Sequence, residues 1–80
     1  MSEIGTVQLG SCVRVKDPEG EEEYTIVGDE DADALSNLIS MDSPLGMALL
    51  GHAQGEHIKV RTPGGLRRVT ILGIAVPATV

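Results

Sequence analysis

Aromatic side chains are almost missing from this sequence: it has no Trp, no Phe and one tyrosine, Tyr24. That excludes mechanisms built on stacked rings, including the base-stacking platforms of single-strand nucleic-acid binders. Cysteine is as scarce. One residue, Cys12, excludes an internal disulfide framework and any cysteine-rich zinc site. Long apolar runs are missing too. Stretches such as Ile71 to Val76 are far too short to span a bilayer, and Met1-Ser2-Glu3 does not open a signal peptide. The expectation is a soluble, cytoplasmic chain with no membrane partner. Basic residues are in the minority, six against twelve acids, for a net charge of −6. An acidic chain is a poor grip for a phosphate backbone, so no direct sequence-specific nucleic-acid contact is expected.

What is present fits one small globular domain over residues 1–80, with no repeat, linker or internal boundary. The hydrophobic share of 41% is normal for a folded chain and excludes disorder throughout. Charge is divided along the chain. Residues 1–42 carry eleven acids and two bases (Arg14, Lys16), whereas residues 43–80 carry one acid (Glu56) and four bases (Lys59, Arg61, Arg67, Arg68). Such runs ordinarily solvate a surface; a basic strip can also meet an acidic one.

From Val7 the chain alternates with a period of two. Val7, Leu9, Ser11, Val13 and Val15 fall on one side, with Gln8, Gly10, Cys12, Arg14 and Lys16 on the other, which predicts a half-buried strand. Asp17-Pro18-Glu19-Gly20 is a turn, and Glu22 to Val27 reads as the returning strand of an antiparallel hairpin. Residues 28–33 form a surface loop, and Leu38 to Met41 a short strand. Ser43 is a good N-cap with Pro44 at the first helical position, Leu45, Ala48 and Leu49 share one face, and Gly51 ends a short helix over 44–50. Strands over 57–61 and from Leu66 to about Val76 follow, turned by Thr62-Pro63-Gly64-Gly65, with a bulge or bend at Gly73. If they pair, Lys59 and Arg61 share a face with either Arg67 or Arg68. The class is α+β, an antiparallel sheet with one short helix packed on it.

No catalytic constellation emerges, so the chain is not expected to be an enzyme. Asp29, Asp31 and Asp33 have the opening spacing of a calcium loop, but its glycine and closing glutamate slots hold Ala34 and Ser40. His52, His57 and Cys12 lack any recognisable metal-ligand spacing. Cys12 reads as an unactivated thiol, and Gly64-Gly65 precedes a strand rather than a helix, so it is no phosphate loop. Neither a cofactor nor a metal is expected.

In order along the chain, Gly10-Ser11-Cys12-Val13, Tyr24-Thr25-Ile26-Val27-Gly28, Asp31-Ala32-Asp33, the dense run from Ile39 to Gly51, Gly55-Glu56 and Thr62-Pro63-Gly64-Gly65 resemble the C-terminal domain of the Gre-type (GreA/GreB) bacterial transcript-cleavage factors. The resemblance covers about residues 5–74. It implies an FKBP-like fold and docking on bacterial RNA polymerase, at the coiled coil of the β′ subunit beside the secondary channel. The family's docking loop falls here on Asp42, Ser43, Pro44 and Leu45. The family's cleavage activity depends on an N-terminal coiled coil with an acidic tip. No heptads precede Val7, so the coiled coil is expected to be absent and these residues alone should not stimulate RNA cleavage. The chain is either a domain cut from a longer Gre factor or a natural short relative that competes at the channel rim. His52 stands where the family usually has a lysine and Val69 where an aromatic residue is common; either change would weaken docking or packing.

Two rival readings remain open. A peptidyl-prolyl isomerase would need an aromatic-lined pocket, which one tyrosine does not build. A small interaction or dimerisation module would use the apolar last strand, ending Ile74-Ala75-Val76, as a sticky edge. A monomer is the favoured state.

Overall fold

The computed structural model describes residues 5–75. Its order of elements is β1 (Cys12–Asp17), β2 (Gly20–Val27), β3 (Leu38–Ser40), α1 (Pro44–Leu49), β4 (His57–Thr62) and β5 (Gly65–Ala75). Two single 3-10 turns, Asp29–Asp31 and Ala34–Ser36, fill the β2–β3 connection. The strands form one sheet in the order β3-β2-β1-β5-β4. The α+β class and the short helix agree with the sequence reading, and the pairing adds a feature it did not contain. Three of the ladders are antiparallel, whereas β2 and β3 run parallel with Ile26 opposite Ile39. The long β2–β3 connection reverses the chain once more before β3, which makes a parallel pair possible.

Alternation decides which side of the sheet is covered. Val13 and Val15 of β1, Ile26 of β2, Ile58 and Val60 of β4, and Val69 and Ile71 of β5 all point inward and are buried, with Leu49 of α1 closing over them. Each such aliphatic side chain contributes roughly 2 kcal/mol on leaving water. No aromatic ring is buried among them, so this is a thin core of branched aliphatics, and among the described residues no layer covers the other side of the sheet. Val69, noted above as a departure, is 2% exposed and serves as a packing residue.

The first strand starts later than the alternation predicts. Val7 to Gly10 are not strand; Ser11 donates its N–H to the Gln8 carbonyl at 2.9 Å, and the Gln8 N–H returns to Ser11 Oγ at 2.9 Å. Gly10 takes a φ of +92° inside this turn. Val7 and Ser11 remain buried as the period of two requires, but Leu9 is turned out to 57% exposure. A turn that brings every second inward residue back to the same side imitates a strand in sequence.

The bulge expected at Gly73 is present. Arg14 pairs with Gly73 and Val15 with Ile71, so Leu72 is the extra residue. The last strand lies inside the sheet, but its end is paired on one side. Ile74 and Ala75 pair with Val13 and Cys12 of the central strand β1, and the β4 ladder reaches along β5 only as far as Thr70; Val76 lies outside the described residues. The edges are β3 and β4.

Candidate functional site

Ser40, the last residue of β3, organises the loop that leads into the helix. Its hydroxyl donates to Asp29 Oδ1 at 3.0 Å and accepts the Asp42 N–H at 2.9 Å. Its carbonyl accepts the Ser43 hydroxyl at 2.7 Å and the Ser43 N–H at 3.0 Å. Ser43 is the N-cap of α1, taking the Gly46 N–H on Oγ at 3.0 Å, with Pro44 behind it in the first turn. A serine at this position satisfies an amide that the helix itself leaves orphaned, typically worth about 1 kcal/mol. Gly46 is buried and has no room for a side chain, because a Cβ there would overlap the Ser40 carbonyl oxygen. A six-residue helix is too short to persist alone, so these contacts and the packing of Leu49 hold it.

The product is a rigid corner beside a groove of about 420 Å³ lined by Ala32, Asp33, Ala34, Leu38, Ile39, Ser40, Ser43, Pro44 and Leu45. Three of the four expected docking residues line it. Ser43 caps, Pro44 is exposed on the rim, and Leu45 is half-buried with its inner side on the core. Asp42 is exposed next to the groove rather than in its lining. The opposite lip, Ala32 to Ala34, was not singled out for this role in the sequence. It is set by Asp33, whose carboxylate accepts the Leu35 N–H at 3.1 Å and the Ser36 hydroxyl at 3.3 Å, and by Asn37, whose φ is +58°. An Asp three residues ahead of a Ser, followed by Asn, is the signal that such a turn leaves in sequence. Leu35, 97% exposed at the tip of that lip, extends the apolar surface outward. Of the carboxylates that resemble a calcium loop, Asp33 acts here as a turn cap and Asp29 as the Ser40 partner.

The remaining candidates fall elsewhere. His52 follows the far end of α1; its Nδ1 meets Glu56 Oε1 at 2.7 Å, and Glu56 Oε2 accepts the Ala53 N–H at 2.9 Å. These bonds, first that from His52, hold the Glu56 carboxyl below its ordinary value. Cys12 sits on the uncovered side of the sheet, where partial burial pushes its thiol pKa up, away from nucleophile chemistry. His57 Nδ1 meets Thr70 Oγ1 at 2.9 Å. Among the described residues no three His, Cys, Asp or Glu side chains converge as a metal site, and no helix is long and apolar enough to cross a membrane.

One ion pair joins the two hairpin tips. Asp17, its side chain 4% exposed, takes the Glu19 N–H on Oδ1 at 2.9 Å. Its Oδ2 receives Arg67 Nε at 3.1 Å and Arg67 Nη2 as well. The guanidinium, and then the Glu19 amide, hold the Asp17 carboxyl below its ordinary value of 3.8. Arg67 therefore lies on the covered side of the sheet, and Arg68 is the one that shares the open face with Lys59, its direct cross-strand partner.

Comparison with known proteins gives one consistent result. The family model described as "Transcription elongation factor, GreA/GreB, C-term" matches residues 1–76. Transcription elongation factor GreA of Clostridioides difficile is 46% identical over 74 residues, covering 90% of this chain and 46% of that protein. The GreA of Listeria welshimeri is 48% identical over 69 residues, covering 84% of this chain and 43% of its own length. The chain thus spans a little under half the length of the curated relatives it matches. Among solved structures, GreA factor homolog 1 of Thermus thermophilus superposes with a TM-score of 0.77 at 31% identity, over 94% of this chain and 52% of that one. A GreA/GreB elongation factor from Nitrosomonas europaea gives 0.75 at 35% identity, over 92% and 63%.

Proposed function

This chain belongs to the GreA/GreB transcription elongation factor family, and from that premise we propose that it is a docking domain for bacterial RNA polymerase, seated by the Ser43–Leu45 corner and its groove on the coiled coil of the β′ subunit at the secondary-channel rim. The single observation that carries this reading is the corner itself. An exposed Pro44 and a half-buried Leu45, locked by the Ser40 and Ser43 hydrogen bonds, lose little freedom on binding, and the apolar groove beside them accepts a complementary side chain. The role is binding without chemistry. The groove lining contains no aromatic residue to build an isomerase pocket, and its polar groups are spent on structure. In this reading residues 1–80 form one docking unit, and the 80 residues tested by themselves do not stimulate RNA cleavage.

Binding to purified RNA polymerase core, competed with an intact Gre factor, tests the proposal. Saturable binding is expected, displaced by the Gre factor and lost in a Pro44→Ala, Leu45→Asp variant. Because Leu45 also touches the core, Ala34→Glu on the opposite, exposed lip is run beside it with thermal melts of both. Binding unaffected by Ala34→Glu, or no binding at tens of micromolar, contradicts the proposal and leaves a domain with another partner.

A further inference from the structure

The side of the sheet that the helix does not cover collects the cations. Register places Lys59 opposite Arg68 and Arg61 opposite Leu66 on β4 and β5, with Lys16 of β1 next to Thr70. Directly paired Cβ atoms stand about 5 Å apart and diagonal ones about 7–8 Å, so Lys16, Arg68, Lys59 and Arg61 follow one another as neighbours in a single patch roughly 17 Å long. All four are exposed, and among the described residues none of them is in an ion pair. The cation that does have a carboxylate, Arg67, is the one on the other side. A shallow depression of about 330 Å³ separates Lys16 from Arg68. Cations of one sign packed this closely repel one another in the free protein, and an anion on the patch relieves that repulsion.

Two features select the anion. Leu66 is 65% exposed within the patch, a large apolar side chain in direct reach of its cations. Phosphate backbones give such a residue nothing to cover it, while an acidic protein segment with one apolar side chain does. The patch is also bounded. Glu23 and Glu21 on β2 stand directly opposite Arg14 and Lys16, so carboxylates close the patch along the β2 side. A duplex, which carries a charge about every 1.7 Å along a rod, would run into that border, whereas a short segment fits inside it. We infer that the open face over β1, β5 and β4 is a second docking surface, and that its occupant is a short acidic, leucine-containing segment of a partner protein. It lies on the opposite side of the sheet from the groove, and the inference stands whether or not the groove binds polymerase.

The test is a titration of isotope-labelled protein, followed by amide chemical shifts, with a synthetic peptide of about eight residues in which Asp and Glu flank a central Leu, and in parallel with a short DNA duplex. Saturable shifts centred on Lys59, Leu66 and Arg68 are expected, weakening steeply with salt. Lys59→Glu with Arg68→Glu should weaken the peptide by about tenfold or more, since charge reversal replaces attraction with repulsion. The neutral pair Lys59→Gln, Arg68→Gln falls between, and guards against misfolding of the reversed variant. Leu66→Ser should weaken the peptide but leave any residual DNA contact unchanged. Peptide shifts that map to the groove, no shifts at millimolar peptide, or a duplex that binds more tightly than the peptide would each overturn the inference.

Discussion

The corner at Ser40–Gly46 and the open cationic face belong to one small sheet and are made by different means. In the corner, position comes from the backbone: carbonyls, amides and two serine hydroxyls close on each other, and the one residue with no side chain, Gly46, sits where the chain passes closest to itself. On the open face, position comes from strand register alone. Its four cations, Lys16, Lys59, Arg61 and Arg68, are exposed, and among the described residues no ion pair holds any of them. The lesson is that one of these surfaces is preorganised and the other adaptable. Substitutions should therefore act on folding in the first and on binding in the second.

The sharpest way to break that contrast is Gly46→Ala. The new methyl group meets backbone, which has no rotamer to yield, so the loss of stability is expected at about 3 kcal/mol, a large part of what so small a domain holds. Denaturant unfolding measures it, and a change under about 1 kcal/mol would mean the corner is softer than described. Ser43→Ala is expected to cost about 1 kcal/mol, the usual worth of an N-cap, plus part of the bond to the Ser40 carbonyl. It should lower polymerase affinity more than an exposed substitution of equal stability cost, and equal losses from the two would count against preorganisation.

The smallest effect is confined to acid, and it concerns the pair of Asp17 with Arg67. The folded carboxyl is held below its ordinary value, so its stabilising contribution is full above that value and is lost as pH falls through the folded one. Melting temperature should thus fall below about pH 4 in the wild type and fall less steeply in Asp17→Asn, which starts from a lower plateau at neutral pH. Parallel acid limbs in the two proteins would show that another carboxylate controls the slope.

What was legible in the sequence was local. Ser43, Pro44 and Gly51 announce a helix start and stop within nine residues, and Asp17-Pro18-Glu19-Gly20 announces its own turn, because caps and turns are settled by neighbours. Pairings across long separations were not. Nothing in Leu38-Ile39-Ser40 says that it runs parallel to β2, and alternation alone leaves both Arg67 and Arg68 eligible for the open face until the β4–β5 register assigns them. Half of the groove was found from Ser43, Pro44 and Leu45; the other lip was hidden, because Ala32 and Ala34 carry no chemistry of their own and are placed by an aspartate cap and a left-handed asparagine.

The bulge on β5 has one more consequence, and it concerns chain length. Elsewhere in the sheet, removing a residue would turn every later side chain to the wrong side. At Leu72 it would not. With that residue gone, Ile71, Gly73 and Ile74 would stand in plain alternation against Val15, Arg14 and Val13, the partners they already have. The last strand thus contains a point where the sequence can shorten by one residue and keep its register, so relatives that differ in length by a single position inside this strand are compatible with an unchanged core.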